Sequence, residues 1–433
     1  MAYHEKVEMR HSYRFRFQGY RLKLILLLSI EILFAAHISC SHNPGKTEKK
    51  NREKCVVVPE YNRTMKKVAV SLAQGNTTLE LQHELLVRLP EYSEIILLLP
   101  ESSVQPIKSS LRHAPYGDRT KLVTYKPDIR NGGVFHFLAQ GKEELVREKL
   151  NRPLPVQQGT CWIQDLFEVG TCPDETIQLY ASVIHVCFWT KDSDTNHNPT
   201  SDNDFLYSLS SQGLNVIKLP LAFNGGNILF DEISGKRIAF CGRDTIIDTH
   251  KIYDSFHDSV VPDSAYTGVI KNTFDVNDVI IVGLRDAPQP RLMYHLDQAM
   301  IPLSEGVTGI TTIVGNYPQN PKALERIREV EQYLEGLRTV LSNLGYKLVP
   351  VETSAENVLR YEYYANAVPF IHAVTGKKTL LMPVFSLEPS SEDKEIMSRN
   401  TARFESLGYT VITVPSTSQT LKGGPHCLIN VLE

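Results

Sequence analysis

Nothing in the charge of this 433-residue chain favours a polyanion as partner. Lys and Arg number 46 against 49 Asp and Glu, the formal net charge is −3, and no basic face dominates. A nucleic-acid role therefore has no electrostatic support. Metal-binding signatures are missing too: the seven cysteines, at 40, 55, 161, 172, 187, 241 and 427, fit no zinc spacing. From Val56 onward no Pro/Gly-rich stretch is long enough to mark a second domain boundary. Long apolar runs are scarce as well. The one candidate, "LILLLSIEILFAAHISC" from Leu24 to Cys40, is short for a spanning helix and is interrupted by Glu31.

That run follows a basic segment with Lys6, Arg10, Arg14, Arg16, Arg21 and Lys23. A basic region, an apolar region and then small residues describe a secretory signal. Residues 1–40 are therefore expected to be a signal peptide or a membrane anchor, with Ser39-Cys40-Ser41 as the processing site. Cys40 is also open to lipidation. Residues 41–55 then read as a polar linker, and the protein is expected to be secreted or anchored outside the cytoplasm, with the N-terminus as a membrane tether. Export permits disulfides, and an odd cysteine count leaves at least one thiol free. Cys161 and Cys172, or other pairs, are open to bridging. Asn62 and Asn76 begin glycosylation sequons.

What is present is a globular composition, 42% apolar and 22% charged, with alternating short strands and helices. "EIILLLP" (94–100) reads as a buried strand and "GKEELVREKL" (141–150) as a helix. The clearest helix spans 321–345. It starts at a proline, ends at a glycine and repeats Leu324, Ile327, Val330, Leu334, Leu337 and Leu341 every three or four residues. Strands are expected at 346–352, 379–385 and 409–416, and a helix at 392–408.

Four stretches carry residues of chemical interest. "GGPHC" puts Cys427 six residues from the end. "HLD" puts His295 and Asp297 two apart, on one face if the segment is a strand. "CWIQDLFEVG" places Asp165 and Glu168 in an apolar setting, where carboxylates are rare unless paired. "NGGN" (224–227) sits between apolar runs, as a hairpin turn does. Singly, each has an ordinary structural reading. Cys427 alone would be a small buried hydrophobe.

Together, "WIQDxxExG" (162–170), "GGN" (225–227), "HLD" (295–297) and "HCxxN" (426–430) resemble the guanidine-modifying enzymes of the pentein fold. The resemblance covers roughly residues 60–433. It is strongest to the catalytic domain of peptidylarginine deiminases, while "GGNILF" leans toward agmatine deiminases. It implies a single catalytic domain over residues 56–433, built as a five-bladed α/β propeller of ββαβ repeats. It also implies roles: Cys427 as nucleophile, His295 as general acid/base, Asp165 and Asp297 as clamps on the guanidinium, and Trp162 and Asn227 shaping the substrate pocket. No metal or cofactor is called for. The implied reaction hydrolyses a guanidino substrate (arginine, an arginyl peptide or agmatine) to a urea group and ammonia through a thiouronium on cysteine. An amidinotransferase would use the same residues. A non-catalytic surface binding protein on the same fold is the reading from another class. Residues 41–55 leave no room for the two immunoglobulin-like domains of the animal peptidylarginine deiminases, so calcium activation is not carried over.

Overall fold

Alternate residues of one apolar strand, Glu94–Pro100, feed two different cores. Ile95, Leu97 and Leu99 pack with Val68, Val70, Phe370 and Leu381. Ile96 and Leu98 pack with Ala69, Phe167 and Leu179. Side chains alternate across a strand, and a sheet covered on both faces needs apolar residues at every position. That is why this run shows no polar alternation.

The computed structural model describes residues 54–72, 79–125, 162–182, 185–186, 199–201, 214–254, 262–285, 287–385, 389–415 and 423–433. The predicted signal or anchor, the linker up to residue 53, the helix expected at 141–150, Cys40, Cys161, Cys187 and the sequon at Asn76 lie outside the described residues. The fold is mixed α/β, and its described strands include five sheets of three or four strands.

All five sheets share one pairing pattern. In each, the first strand pairs antiparallel with a second, which pairs parallel with a third. Phe167–Thr171 is followed in this way by Ile177–Ser182 and Asn215–Leu219. Ile228–Ile233 is followed by Lys236–Gly242 and Asp278–Val282. Met300–Ser304 is followed by Val307–Val314 and Lys347–Ser354. Val368–His372 is followed by Lys378–Val384 and Thr410–Pro415, with Thr64–Met65 added parallel to its edge. The fifth sheet joins the two ends of the body. Asn430–Val431 pairs antiparallel with Lys67–Ser71, which continues in parallel to Glu94–Pro100 and Thr120–Tyr125. A parallel neighbour requires a crossover, and helices supply it. Pro321–Asn343 and Ser391–Ser406 are two of them.

The helix expected at 321–345 forms over Pro321–Asn343, with the Asn320 side chain accepting from the N–H groups of Lys322 and Ala323. Its apolar stripe buries Ile327, Val330, Leu334, Leu337 and Leu341, while Leu324 is only half-buried. Gly345 follows with φ +86°, the left-handed conformation that ends helices cheaply only at glycine. The strands expected at 346–352, 379–385 and 409–416 form as Lys347–Ser354, Lys378–Val384 and Thr410–Pro415. The helix expected at 392–408 forms as Ser391–Ser406.

The cores lie between neighbouring sheets. One cluster joins the sheet of Lys67–Ser71 to that of Val368–His372. A second joins it to the sheet of Phe167–Thr171. A third joins the sheets begun by Ile228–Ile233 and Met300–Ser304, and a fourth joins the latter to the sheet of Lys378–Val384. Cys55 bridges Cys172 rather than Cys161, and Cys241 and Cys427 are free and buried. The reason for the pairing is local: Val56 and Thr171 form an antiparallel bridge, which sets the residues flanking them side by side.

Each sheet's first strand is entered through a tight turn. Ile163–Asp165, Gly225–Asn227, Leu296–Ala299 and Pro425–Leu428 are single helical turns directly ahead of their strands. Ahead of Val368–His372 the turn is marked by the Asn366 N–H donating to the Tyr363 carbonyl at 3.1 Å. Cys427, His295, Asp297, Asp165, Asn227 and Trp162 all sit on, or just beside, these entries.

Candidate active site

Cys427 lies in the helical turn Pro425–Leu428, and the chain's last strand begins three residues later at Asn430. Pro425 opens the turn, where a missing N–H costs nothing. Asn366 braces the segment with both ends of its amide. Its Oδ1 accepts from the Gly424 N–H at 2.9 Å, and its Nδ2 donates to Cys427 Sγ at 3.2 Å. The thiol is buried and donates to Asp297 Oδ2 at 3.4 Å. Burial pushes the Cys427 thiol well above its ordinary range, and the Asp297 and Asp165 carboxylates add to this. At rest the sulfur is therefore protonated.

His295 and Asp297 are also on a turn and not on a strand. His295 caps the turn Leu296–Ala299, and its N–H donates to the Gln298 side chain at 3.2 Å. A four-residue helical turn shows no periodicity of its own, so the two-residue spacing could only be read as a strand. The turn is held from below. Asn227 Oδ1 accepts from the Leu296 N–H at 3.2 Å, and Asn227 Nδ2 donates to Gln289 Oε1 at 2.9 Å. Asn227 thus braces the turn that carries His295 and Asp297.

His295 Nδ1 stands 3.7 Å from Asp165 Oδ1. Its other nitrogen, Nε2, accepts from Asn224 Nδ2 at 3.0 Å. An amide nitrogen only donates, so this contact leaves the ring proton on Nδ1, facing Asp165. Asp165 ends the turn Ile163–Asp165. Burial pushes its carboxyl up to about 6; the nearby Asp297 charge adds to this, and His295 opposes it. Glu168, in the strand that follows, is pushed well above the carboxylate range by burial, against the partial opposition of Arg63. The Trp162 ring is half-buried and lies close against the Gly423 backbone; a Cβ on Gly423 would come within 2.5 Å of it.

The structure thus brings Cys427, Asp297, Asp165 and His295 into one buried cluster, with Trp162 and Asn227 at its edge. Two oxygens of this cluster, Asp165 Oδ1 and Asp297 Oδ1, are buried without a hydrogen-bond partner. Two carboxylates in that condition, beside a neutral thiol, make a receptor for a cation. Among the described residues, no group of three or more His, Cys, Asp or Glu side chains is arranged to hold a metal ion.

Sequence reasoning missed several members. His426 puts Nδ1 2.9 Å from Asp297 Oδ2 and Nε2 3.0 Å from Glu60 Oε2. Burial alone would lower its pKa, but Glu60 and Asp297 outweigh this and raise it well above the ordinary value. Asn224, Asn366 and Glu60 were missed too. Asn224 stands inside the "NGGN" motif, where a second side-chain amide beside the glycines is a signal of its own. Asn366 and Glu60 carry no local signal.

No family model matches the chain, and its sequence matches no curated protein. Its structure does have relatives. Agmatine deiminase of C. jejuni superposes with a TM-score of 0.54 at 11% identity, over 87% of this chain and 95% of that one. Agmatine deiminase of Enterococcus faecalis gives 0.54 at 10% identity, over 90% and 98%. The chain shares its fold with the agmatine deiminases. A cysteine-to-serine form of the C. jejuni enzyme, solved with substrate bound, superposes with a TM-score of 0.53 at 11% identity, over 90% and 98%. The match therefore spans these agmatine deiminases almost end to end, and the mixed α/β architecture expected of the chain is the one it shares with them.

Close approach explains a glycine of this site. A Cβ on Gly226 would meet Asp297 Oδ2 at 2.7 Å and His295 Nδ1 at 3.0 Å. Gly226→Ala is expected to displace both side chains and, under the hydrolase function proposed below, to cut turnover by tenfold or more, on the order of 1.4 kcal/mol, while thermal melting shows the fold retained. Normal steady-state rates in that variant would show that neither side chain needs its present position.

Proposed function

We propose that this protein hydrolyses the guanidinium of a small or peptidyl substrate to a urea group and ammonia, with Cys427 as nucleophile and His295 as proton carrier. We further propose that its five sheets close into a five-bladed ring within one catalytic domain, residues 56–433, with the strand-entry turns at its axis. The cores between successive sheets support the ring, as does the edge contact, ring centres 5.2 Å apart, of Tyr180 in Ile177–Ser182 with Phe274, which ends the helix Asp263–Phe274 that leads into the third strand of the sheet with which it shares no core cluster.

The observation that carries the functional reading is the pair of buried oxygens on Asp165 and Asp297, beside the thiol, that accept no hydrogen bond. A guanidinium is planar and delocalised, and two carboxylates fix its plane while compensating its charge. Its carbon is a poor electrophile, so position matters most. The bound cation also offsets the two carboxylates that hold the thiol pKa high, so the nucleophile forms when substrate arrives. Sulfur then bonds to the guanidinium carbon. The thiol proton passes through His295 to the departing nitrogen, which leaves as ammonia. A thiouronium cation remains on Cys427. Water adds to its carbon, the C–S bond breaks, and His295 returns a proton to sulfur. The second water proton is released and taken up by ammonia.

Ammonia release from agmatine, arginine and an arginyl peptide tests this. Ammonia from one of them is expected; ammonia from none overturns the hydrolase reading. A guanidino group transferred to an added amine would assign a transferase instead. The pH profile tests the acid pair. Asp165 takes up a proton in the free protein near pH 6. Protonation removes charge needed for the cation, so kcat/KM should fall as pH drops below about 6. Asp165→Asn should abolish that limb together with most of the rate.

The Cys55–Cys172 bridge supports placing the body in an oxidising compartment. That agrees with reading residues 1–40 as an export signal or anchor. No helix among the described residues is long and apolar enough to cross a membrane.

A further inference from the structure

We propose that Glu60 is a positioning residue for the site, acting through His426, which it holds as an imidazolium so that Asp297 keeps one oxygen for the ligand. The two residues are 366 positions apart and meet only because the chain's last strand pairs with one of its first. Both ring nitrogens of His426 stand at hydrogen-bond distance from carboxylate oxygens, Nε2 from Glu60 and Nδ1 from Asp297. Carboxylates accept only, so each nitrogen carries a proton and the ring is a cation. Asp297 Oδ2 then serves two donors, the imidazolium and the thiol, and Oδ1 serves none. The imidazolium fixes the carboxylate's plane and decides which oxygen is left over.

Glu60 is itself fixed. It opens the turn Glu60–Asn62, and the Arg63 N–H caps its carbonyl at 2.9 Å. The Arg63 guanidinium donates to the carbonyls of Val58, Val431 and Val169, at 2.9, 3.2 and 3.4 Å. This ties the turn to the last strand and to the strand that follows Asp165. Burial would raise the Glu60 pKa, but His426 and Arg63 together hold it below the ordinary value. The charged or titratable groups facing His426 are Glu60, Asp297, Asp165, Glu168 and its neighbour Cys427, with Arg63 behind Glu60. Burial pushes Glu168 up, against Arg63. Glu60 and Asp297 are the two carboxylates at hydrogen-bond distance from the ring.

The ion chain belongs to the free protein; only its effect on turnover rests on the hydrolase reading. Side-chain nitrogen–proton NMR of the full chain, with the His426 signals assigned by their loss in His426→Asn, tests the chain without substrate. Wild-type protein should show both His426 ring N–H protons, with imidazolium shifts that stay constant from about pH 6 to 8.5. Glu60→Gln keeps an acceptor but removes the charge, and should bring a His426 titration into that range. Iodoacetamide labelling of Cys427 should gain the same inflection. In turnover, Glu60→Gln should raise KM about tenfold to a hundredfold at neutral pH, the scale of one hydrogen bond between charged groups. It should also add that ionisation to the kcat/KM profile, and Glu60→Asp should restore the wild-type profile. The proposal fails if wild-type His426 titrates near its ordinary value of about 6.5. It also fails if Glu60→Gln lowers the melting temperature but moves neither the His426 signals nor the labelling profile, since Glu60 would then be merely structural. If no guanidine is turned over, the NMR and labelling arms still decide it.

Discussion

Cys427→Ser should leave the protein folded and its turnover reduced by at least about a thousandfold, the scale seen when a covalent nucleophile is removed. The serine hydroxyl can donate to Asp297 Oδ2 and accept from Asn366 as the thiol does. Stability should therefore change by no more than about 1 kcal/mol. The hydroxyl remains a far weaker nucleophile near neutral pH. A variant that keeps more than a few per cent of the rate would remove Cys427 from the chemistry. Labelling gives an independent check. The resting thiol is protonated and flanked by two carboxylates, so a cationic haloacetamidine should modify it faster than neutral iodoacetamide does. Cys241 serves as a control within the same chain. Burial pushes its thiol up to about 12, and it should stay unlabelled while the protein is folded. Mass-spectrometric labelling at Cys241 instead of Cys427 would move the site.

The elements most legible in the sequence are those whose signal is local. Pro321–Asn343 has a cap, a stripe and a glycine stop within one window, and its interior matches the expectation. Glu94–Pro100 is readable because a strand buried on both faces shows itself as an unbroken apolar run. The strand-entry turns are not readable. Four residues are too few for a 3.6-residue period to differ from a strand's period of two. A strand reading therefore brings His295 and Asp297 together for the wrong geometric reason. The disulfide is equally closed to spacing arguments: only the bridge between Val56 and Thr171 brings Cys55 to Cys172.

For the site, the division follows sequence distance. Cys427, His295, Asp165 and Asp297 lie in short motifs with several chemical residues each, and those motifs are enough to group them. Asn366 reaches Cys427 across 61 residues and Glu60 reaches His426 across 366. Each stands alone in a stretch of ordinary composition, "YANAV" and "PEYN". A brace of this kind is defined by the atom it touches, and its partner is known only once the sheets are assembled. His426 stands within the "HCxxN" motif, but without Glu60 in view nothing marks it as a cation.

Asp297→Asn is expected to cut kcat/KM by roughly a hundredfold to several thousandfold. Removing one member of a buried ionic group costs about 3–5 kcal/mol, and each 1.4 kcal/mol is about tenfold. The amide loses the charge that compensates the cation and leaves Glu60 as the carboxylate hydrogen-bonded to His426. The thiol should respond in the opposite direction. After burial, Asp297 is the main influence holding Cys427 protonated, and Asp165 is next. Without the Asp297 charge the thiol pKa should fall, and iodoacetamide should label Cys427 faster at a fixed pH near neutrality than it labels the wild type. A residue that merely supports the fold would lower the turnover and leave the labelling rate of the still-folded protein unchanged. Slower turnover with faster alkylation identifies a carboxylate that suppresses the nucleophile when the site is empty and is neutralised by the cation it receives. If labelling slows along with turnover, the carboxylate instead promotes the thiolate, and substrate does not activate the thiol by offsetting this charge.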